Sequence, residues 1–87
     1  MSAVIWTEEA LDNLSDIYVQ ATLEQRDVLV ERVDFINQRL QENAMFEGES
    51  RSGPNRVAFF PPMCVLYSAK PHRPIFIVRV RPMRFWK

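Results

Sequence analysis

The sequence predicts an α+β fold: an N-terminal strand, an antiparallel α-hairpin, then a three- to four-stranded antiparallel meander, with the helices packed on one sheet face. Three observations carry this. Between residues 8 and 40 apolar side chains recur at helical spacing behind two threonines placed to cap. Only a short break, at Ala21 and Thr22, separates the two periodic stretches, so the helices must double back on each other. From Phe46-Glu-Gly48 onward, proline and β-forming residues dominate.

The elements follow in order. Ala3–Trp6 is a short apolar run, read as the first strand. Thr7 can cap a helix, and Glu8 and Glu9 suit the positive end of its dipole. Ala10, Leu11, Leu14, Ile17, Tyr18 and Ala21 then mark one face of a helix over Glu8–Gln20. Thr22 can cap the second helix, in which Leu29, Val33, Ile36 and Leu40 form one stripe that Val28 and Phe35 widen. Glu24, Asp27, Glu31, Asp34 and Gln38 gather on the far side and should face water. Arg56–Phe60 reads as a strand stopped by Pro61 and Pro62, Met63–Ser68 as the next, and Lys70–Pro74 as a turn. Ile75–Arg81 is the last strand, closed by Pro82, and Glu49–Ser52 can extend the pairing at the front. With neither repeat nor linker, residues 1–87 read as one domain.

Two helices on one face leave the other face of the sheet open, and strand alternation says what stands there. Phe76, Val78 and Val80 share one side of the last strand; Ile75, Ile77, Arg79 and Arg81 share the other. Burying a guanidinium is costly, so Phe76, Val78 and Val80 are expected to meet the helices, with Arg79 and Arg81 on the open face. The tail bearing Arg84, Phe85 and Trp86 begins beside it.

Composition narrows the function classes. A chain of 87 residues, 47% hydrophobic with two glycines, has enough apolar residues for a core and too many to be disordered. Cys64 is the only cysteine and sits in an apolar run, where it is expected to pack; one cysteine and one histidine make no zinc cluster, and no cofactor is expected. The N-terminus lacks the basic start and long apolar stretch of a signal peptide, and no run approaches a membrane span, so a cytoplasmic protein is expected. The net charge of zero conceals a division. Residues 1–47 carry three Arg against ten Asp and Glu, net −7; residues 48–87 carry six Arg and two Lys against one Glu, net +7. Either the basic part faces an anionic partner, or the two parts attract each other.

The layout resembles the RelE/ParE superfamily of bacterial type II toxins. Val4-Ile-Trp-Thr-Glu-Glu-Ala-Leu-Asp-Asn-Leu14, followed by Ile17 and Tyr18, is similar to the family's opening strand and first helix. Ile36-Asn-Gln-Arg-Leu40, Asn43 and Gly48 resemble its second helix and exit, with Ala44 where a proline is usual. Arg56-Val57, Val65-Leu-Tyr67 and Ile77-Val-Arg-Val80 resemble its strand meander. The resemblance covers nearly the full chain through the order and spacing of these pieces. It implies a toxin held inactive in a hetero-oligomer with a cognate antitoxin. Its target would be messenger RNA on the ribosome, cleaved by the toxin, or DNA gyrase, inhibited without cleavage; an orphan protein-binding module of the same fold is a further alternative. Cleavage, acting on translation, is the leading expectation.

RNA cleavage drives the ribose 2′-OH against the neighbouring phosphate and needs a base, an acid and cations for the developing charge. On this reading Arg56, Arg81 and Glu49 are the catalytic candidates, with Glu49 the carboxylate placed nearest the arginines; an ion pair is its other reading. Arg51, Arg79 and Arg84 would bind phosphate through their planar forks, and Trp86 could stack on a base or simply pack. His72 lies in the Lys70–Pro74 turn and reads as a turn residue, and Tyr67 as a packed ring or a hydrogen-bonding hydroxyl. The cleaving relatives pair Lys and Arg with a C-terminal Tyr, or Glu with a C-terminal His-Tyr; here residues 48–69 hold no lysine, and Phe85 and Trp86 transfer no proton.

Overall fold

The computed structural model describes residues 2–83. Arg84 and Trp86, assigned to phosphate and base contacts above, lie outside the described residues.

The chain runs β1 (Val4–Trp6), α1 (Glu8–Gln20), α2 (Leu23–Asn43), β2 (Glu49–Ser50), β3 (Asn55–Phe60), β4 (Met63–Ser68) and β5 (Ile75–Pro82). Local chemistry fixes the helix starts. The Thr7 hydroxyl accepts from the Ala10 amide at 3.2 Å. At α2 a reciprocal pair forms: Gln25 N donates to the Thr22 hydroxyl at 3.1 Å, and Thr22 N donates to the Gln25 side chain at 2.9 Å. Leu29, Ile36 and Leu40 turn inward, while Glu24, Asp27, Glu31, Asp34 and Gln38 are exposed. Both helices contribute to one core with Ala58, Phe60, Met63, Val65 and Tyr67 of the sheet. Phe35 reaches Phe60 edge-on, with ring centroids 6.0 Å apart.

The architecture is α+β with a mixed sheet, ordered β1-β5-β4-β3-β2. The meander β2 to β5 is antiparallel as expected, but β1 pairs with β5 in parallel. Their pairing joins opposite ends of the chain, which no local pattern announces. Trp6 then ties β1 to α2, its indole N–H donating to the Asn37 side-chain oxygen at 2.8 Å.

The facing of β5 also differs from expectation. Tyr67 pairs with Ile77 and Leu66 with Arg79, so Val78 is an extra residue on β5, a β-bulge. The bulge reverses the alternation. Ile75, Ile77 and Val80 are buried at 2%, 0% and 2% exposure, whereas Phe76 is 40% exposed on the open face. Counting back from the arginines at strict period two placed Val80, Arg79 and Arg81 rightly and inverted Ile75, Phe76 and Ile77.

Candidate functional site

Strand register lays out the open face as rows of side chains across the sheet. Glu49, Val57, Leu66 and Arg79 form one row over β2, β3, β4 and β5. Phe59, Cys64 and Arg81 form a second, and Asn55, Ser68, Phe76 and Ile5 a third. Neighbouring strands lie about 4.8 Å apart and alternate residues about 6.7 Å, so Arg79 and Arg81 are adjacent on β5 while Glu49 stands roughly 14 Å away across the sheet. The face is therefore basic on its β5 side and apolar in the middle, with Phe59 57% exposed.

Arg56 does not belong to this face. It pairs with Tyr67, whose side chain is fully buried on the helix side, and so points the opposite way from Arg79 and Arg81. Its guanidinium donates to the carbonyls of Glu47 at 3.0 Å and Gly48 at 3.1 Å. Beside it the Tyr67 hydroxyl donates to the Ala44 carbonyl at 2.8 Å and also reaches that of Glu47. Arg56 and Tyr67 thus satisfy carbonyls at and just past the C-terminal end of α2, where the helix dipole favours a cation. The expected grouping of Arg56 with Arg81 and Glu49 is corrected accordingly: β3 is apolar at both parities, and burial of Ala58 and Phe60 carries Arg56 to the covered side.

The remaining candidates separate by their partners. Glu49 forms an ion pair with Arg51 at 3.1 Å. Arg79 pairs with Glu9 of α1 at 2.9 Å. All four side chains are substantially exposed, so each pair contributes no more than about 1 kcal/mol. Arg81 is exposed and has no ion-pair or hydrogen-bond partner among the described residues. Burial pushes the Cys64 thiol up from its ordinary range, while the charges of Arg51 and Arg81 pull the other way, so both guanidinium groups are felt at the middle of the face. Burial likewise raises Tyr67 by more than its contact with Arg56 lowers it, so the phenol stays protonated at neutral pH. His72 sits in the turn at φ 62°, away from these residues in the sheet register.

A cleft of about 620 Å³ runs between α1 and the free side of β5. Glu9 and Asp16 line one wall, Arg79 and Arg81 the other, with Ile17 and Val80 between them. Sequence reasoning missed this cleft because it depends on how α1 docks on β5. Thr7 N donates to the Ile77 carbonyl at 3.0 Å, and the Thr7 hydroxyl to that of Val78 at 3.3 Å. The Asn13 side-chain oxygen accepts from Val80 N at 3.0 Å. Asn13 stood within the motif that resembled the toxin family, yet nothing in its spacing said that it serves a strand edge.

The chain matches a solved structure described as "Chromosomal ParDE TA system from P. aeruginosa", with TM-score 0.73 and 23% identity over 97% of this chain and 98% of that one. The two share a fold. No protein-family model matches the sequence. No curated protein matches it either.

Proposed function

We propose that this chain is the toxin component of a type II toxin–antitoxin module, and that it acts by binding its target through the open sheet face rather than by cutting RNA. The shared fold with a chain of a ParDE toxin–antitoxin system supports the first part. The observation that carries the second is the distribution of proton carriers. Cleavage needs a base and an acid beside the cations. Of the described carboxylates, Glu49 is paired with Arg51 and lies across the sheet from Arg81, while Glu9 on the α1 wall of the cleft is held in an ion pair with Arg79. Tyr67 is buried on the other side with its hydroxyl committed to carbonyls. Arginine itself stays protonated and is a poor base. What the face offers is adjacent guanidinium groups beside an apolar strip, a surface suited to an anionic macromolecule such as a gyrase segment or an acidic antitoxin.

A second reading, RNA cleavage on the ribosome, draws on the placement of Arg51, Arg79, Arg81 and Glu49 on one face. Induced expression distinguishes the two. Growth should slow, and the Arg79→Ala, Arg81→Ala double change should relieve the arrest while leaving the thermal melt nearly unchanged. Mapping of RNA 5′ ends should reveal no new cleavage sites, and a DNA-damage reporter should rise. Fresh RNA ends on induction would transfer the chain to the cleaving class, and growth indifferent to the wild-type protein would remove the toxin reading. If it holds, the protein works in the cytoplasm, where gyrase and ribosomes are found.

A further inference from the structure

We infer that Glu9 is a built-in competitor for the anion site of the open face: it occupies Arg79 in the free chain and gives way when an acidic peptide segment brings its own carboxylates to Arg79 and Arg81. This rests on the binding reading above and names the partner chemistry and the residue that tunes it.

The Glu9–Arg79 pair is positioned by the backbone around it. Glu9 lies between Thr7 and Asn13, and both hold β5: Thr7 at the Ile77 and Val78 carbonyls, Asn13 at the Val80 amide. Glu9 and Asn13 are four residues apart and share one face of α1. The first turns of α1 are therefore registered against β5, and the Glu9 carboxylate is delivered to Arg79 at 2.9 Å. One residue pair along, Arg81 has no such carboxylate among the described residues. Of two neighbouring cations, one is occupied from within the chain and one is open. Both members of the occupied pair are about half exposed, so an incoming anion can reach and replace Glu9.

The acidic wall decides the class of partner. A nucleic acid carries an unbroken row of phosphates, and in this cleft that row would meet Glu9 and Asp16 within a Debye length. A peptide strand can set carboxylates at alternate positions, about 6.7 Å apart, opposite Arg79 and Arg81, and neutral or cationic groups toward Asp16. Its apolar side chains would find Phe59, Leu66 and Val57 across the sheet. The pattern of charge and apolar surface fits a protein segment.

The test uses the whole chain and a short labelled peptide with two glutamates at alternate positions among valine and threonine, read by fluorescence anisotropy at low and high salt. Glu9→Gln should tighten binding about two- to fivefold at low salt, the range of an exposed ion pair. Glu8→Gln, which removes an exposed carboxylate with no described ion pair, should not. The gain should vanish in an Arg79→Gln background and at high salt, and thermal melts should confirm that each variant folds. Equal gains for the Glu8 and Glu9 changes, persistence of the gain without Arg79, or no peptide binding by any variant would overturn the inference. So would a gain confined to a single-stranded oligonucleotide probe. Because growth arrest is measured separately, a toxic chain that fails this assay loses only the competitor role, whereas a non-toxic chain that passes it keeps its peptide site and loses the toxin reading.

Discussion

Arg56 and Arg81 are the same residue type, on opposite faces of one sheet and opposite in use. Arg56 lies on the covered side, both of its hydrogen bonds spent on carbonyls just past α2. Arg81 stands on the open side with no partner among the described residues. The contrast teaches that a count of arginines in the C-terminal half measures two things at once. Some of that charge anchors the helix to the sheet; only the rest is available to another molecule. A substitution series can widen or erase this distinction.

The largest effect should come from the loop that Arg56 holds. Gly48 has φ +63°, and a Cβ there would stand 2.1 Å from the Val57 carbonyl oxygen. Gly48→Ala should therefore cost about 3 kcal/mol or more in urea unfolding, with Gly53→Ala as its control. Gly53 has a similar φ of +57° but open space at its Cβ, so only the backbone preference of about 1–2 kcal/mol is lost. Equal losses at the two glycines would mean that the loop can move off β3.

Next come the arginines themselves. Arg56→Ala should destabilise the fold by about 2 kcal/mol, because it leaves carbonyls without their charged donor. Arg81→Ala should stay within about 0.5 kcal/mol and instead weaken binding of anionic probes. Paired denaturation and binding curves would check both, and a stability loss at Arg81 matching that at Arg56 would dissolve the contrast.

Tyr67→Phe should cost about 1 kcal/mol and alter the pH profile. Burial lifts the phenol above its ordinary value of 10.0, so the unfolded chain ionises first as pH rises. The phenol's contribution is complete below about pH 10 and declines as pH climbs from there through the folded-state value. Melts across the alkaline range should find a steeper fall for the wild type than for the phenylalanine variant. The smallest effect belongs to Cys64. Its thiol, raised by burial and partly offset by Arg51 and Arg81, should react slowly with a disulfide reagent near pH 8, and Arg81→Gln should slow it further. A pH–rate profile is the measurement, and an unchanged rate would mean that Arg81 does not act at the middle of the face.

Much of the fold was legible because its determinants are local. The bounds of α1, both threonine caps and the solvated face of α2 were read from neighbouring residues, and the structure agrees. The parallel pairing of β1 with β5 and the bulge at Val78 were not legible, since each is a relation between strands distant in sequence. Of the site, Arg79 and Arg81 were placed correctly because a charged residue has one inexpensive side of a sheet. Arg56 was misplaced because its strand is apolar on both sides, and part-buried guanidinium becomes acceptable once carbonyls are there to receive it.

The attachment of α1 to β5 has one more consequence, for self-association. An unpaired strand margin is a template on which a second molecule can extend the sheet. Here the stretch of β5 beyond β1 is occupied by Thr7 and Asn13, and Pro82 contributes no amide hydrogen. The opposite margin, β2, is two residues long and bears the charge of Glu49. Little free backbone is left at these two stretches for a second molecule to pair with.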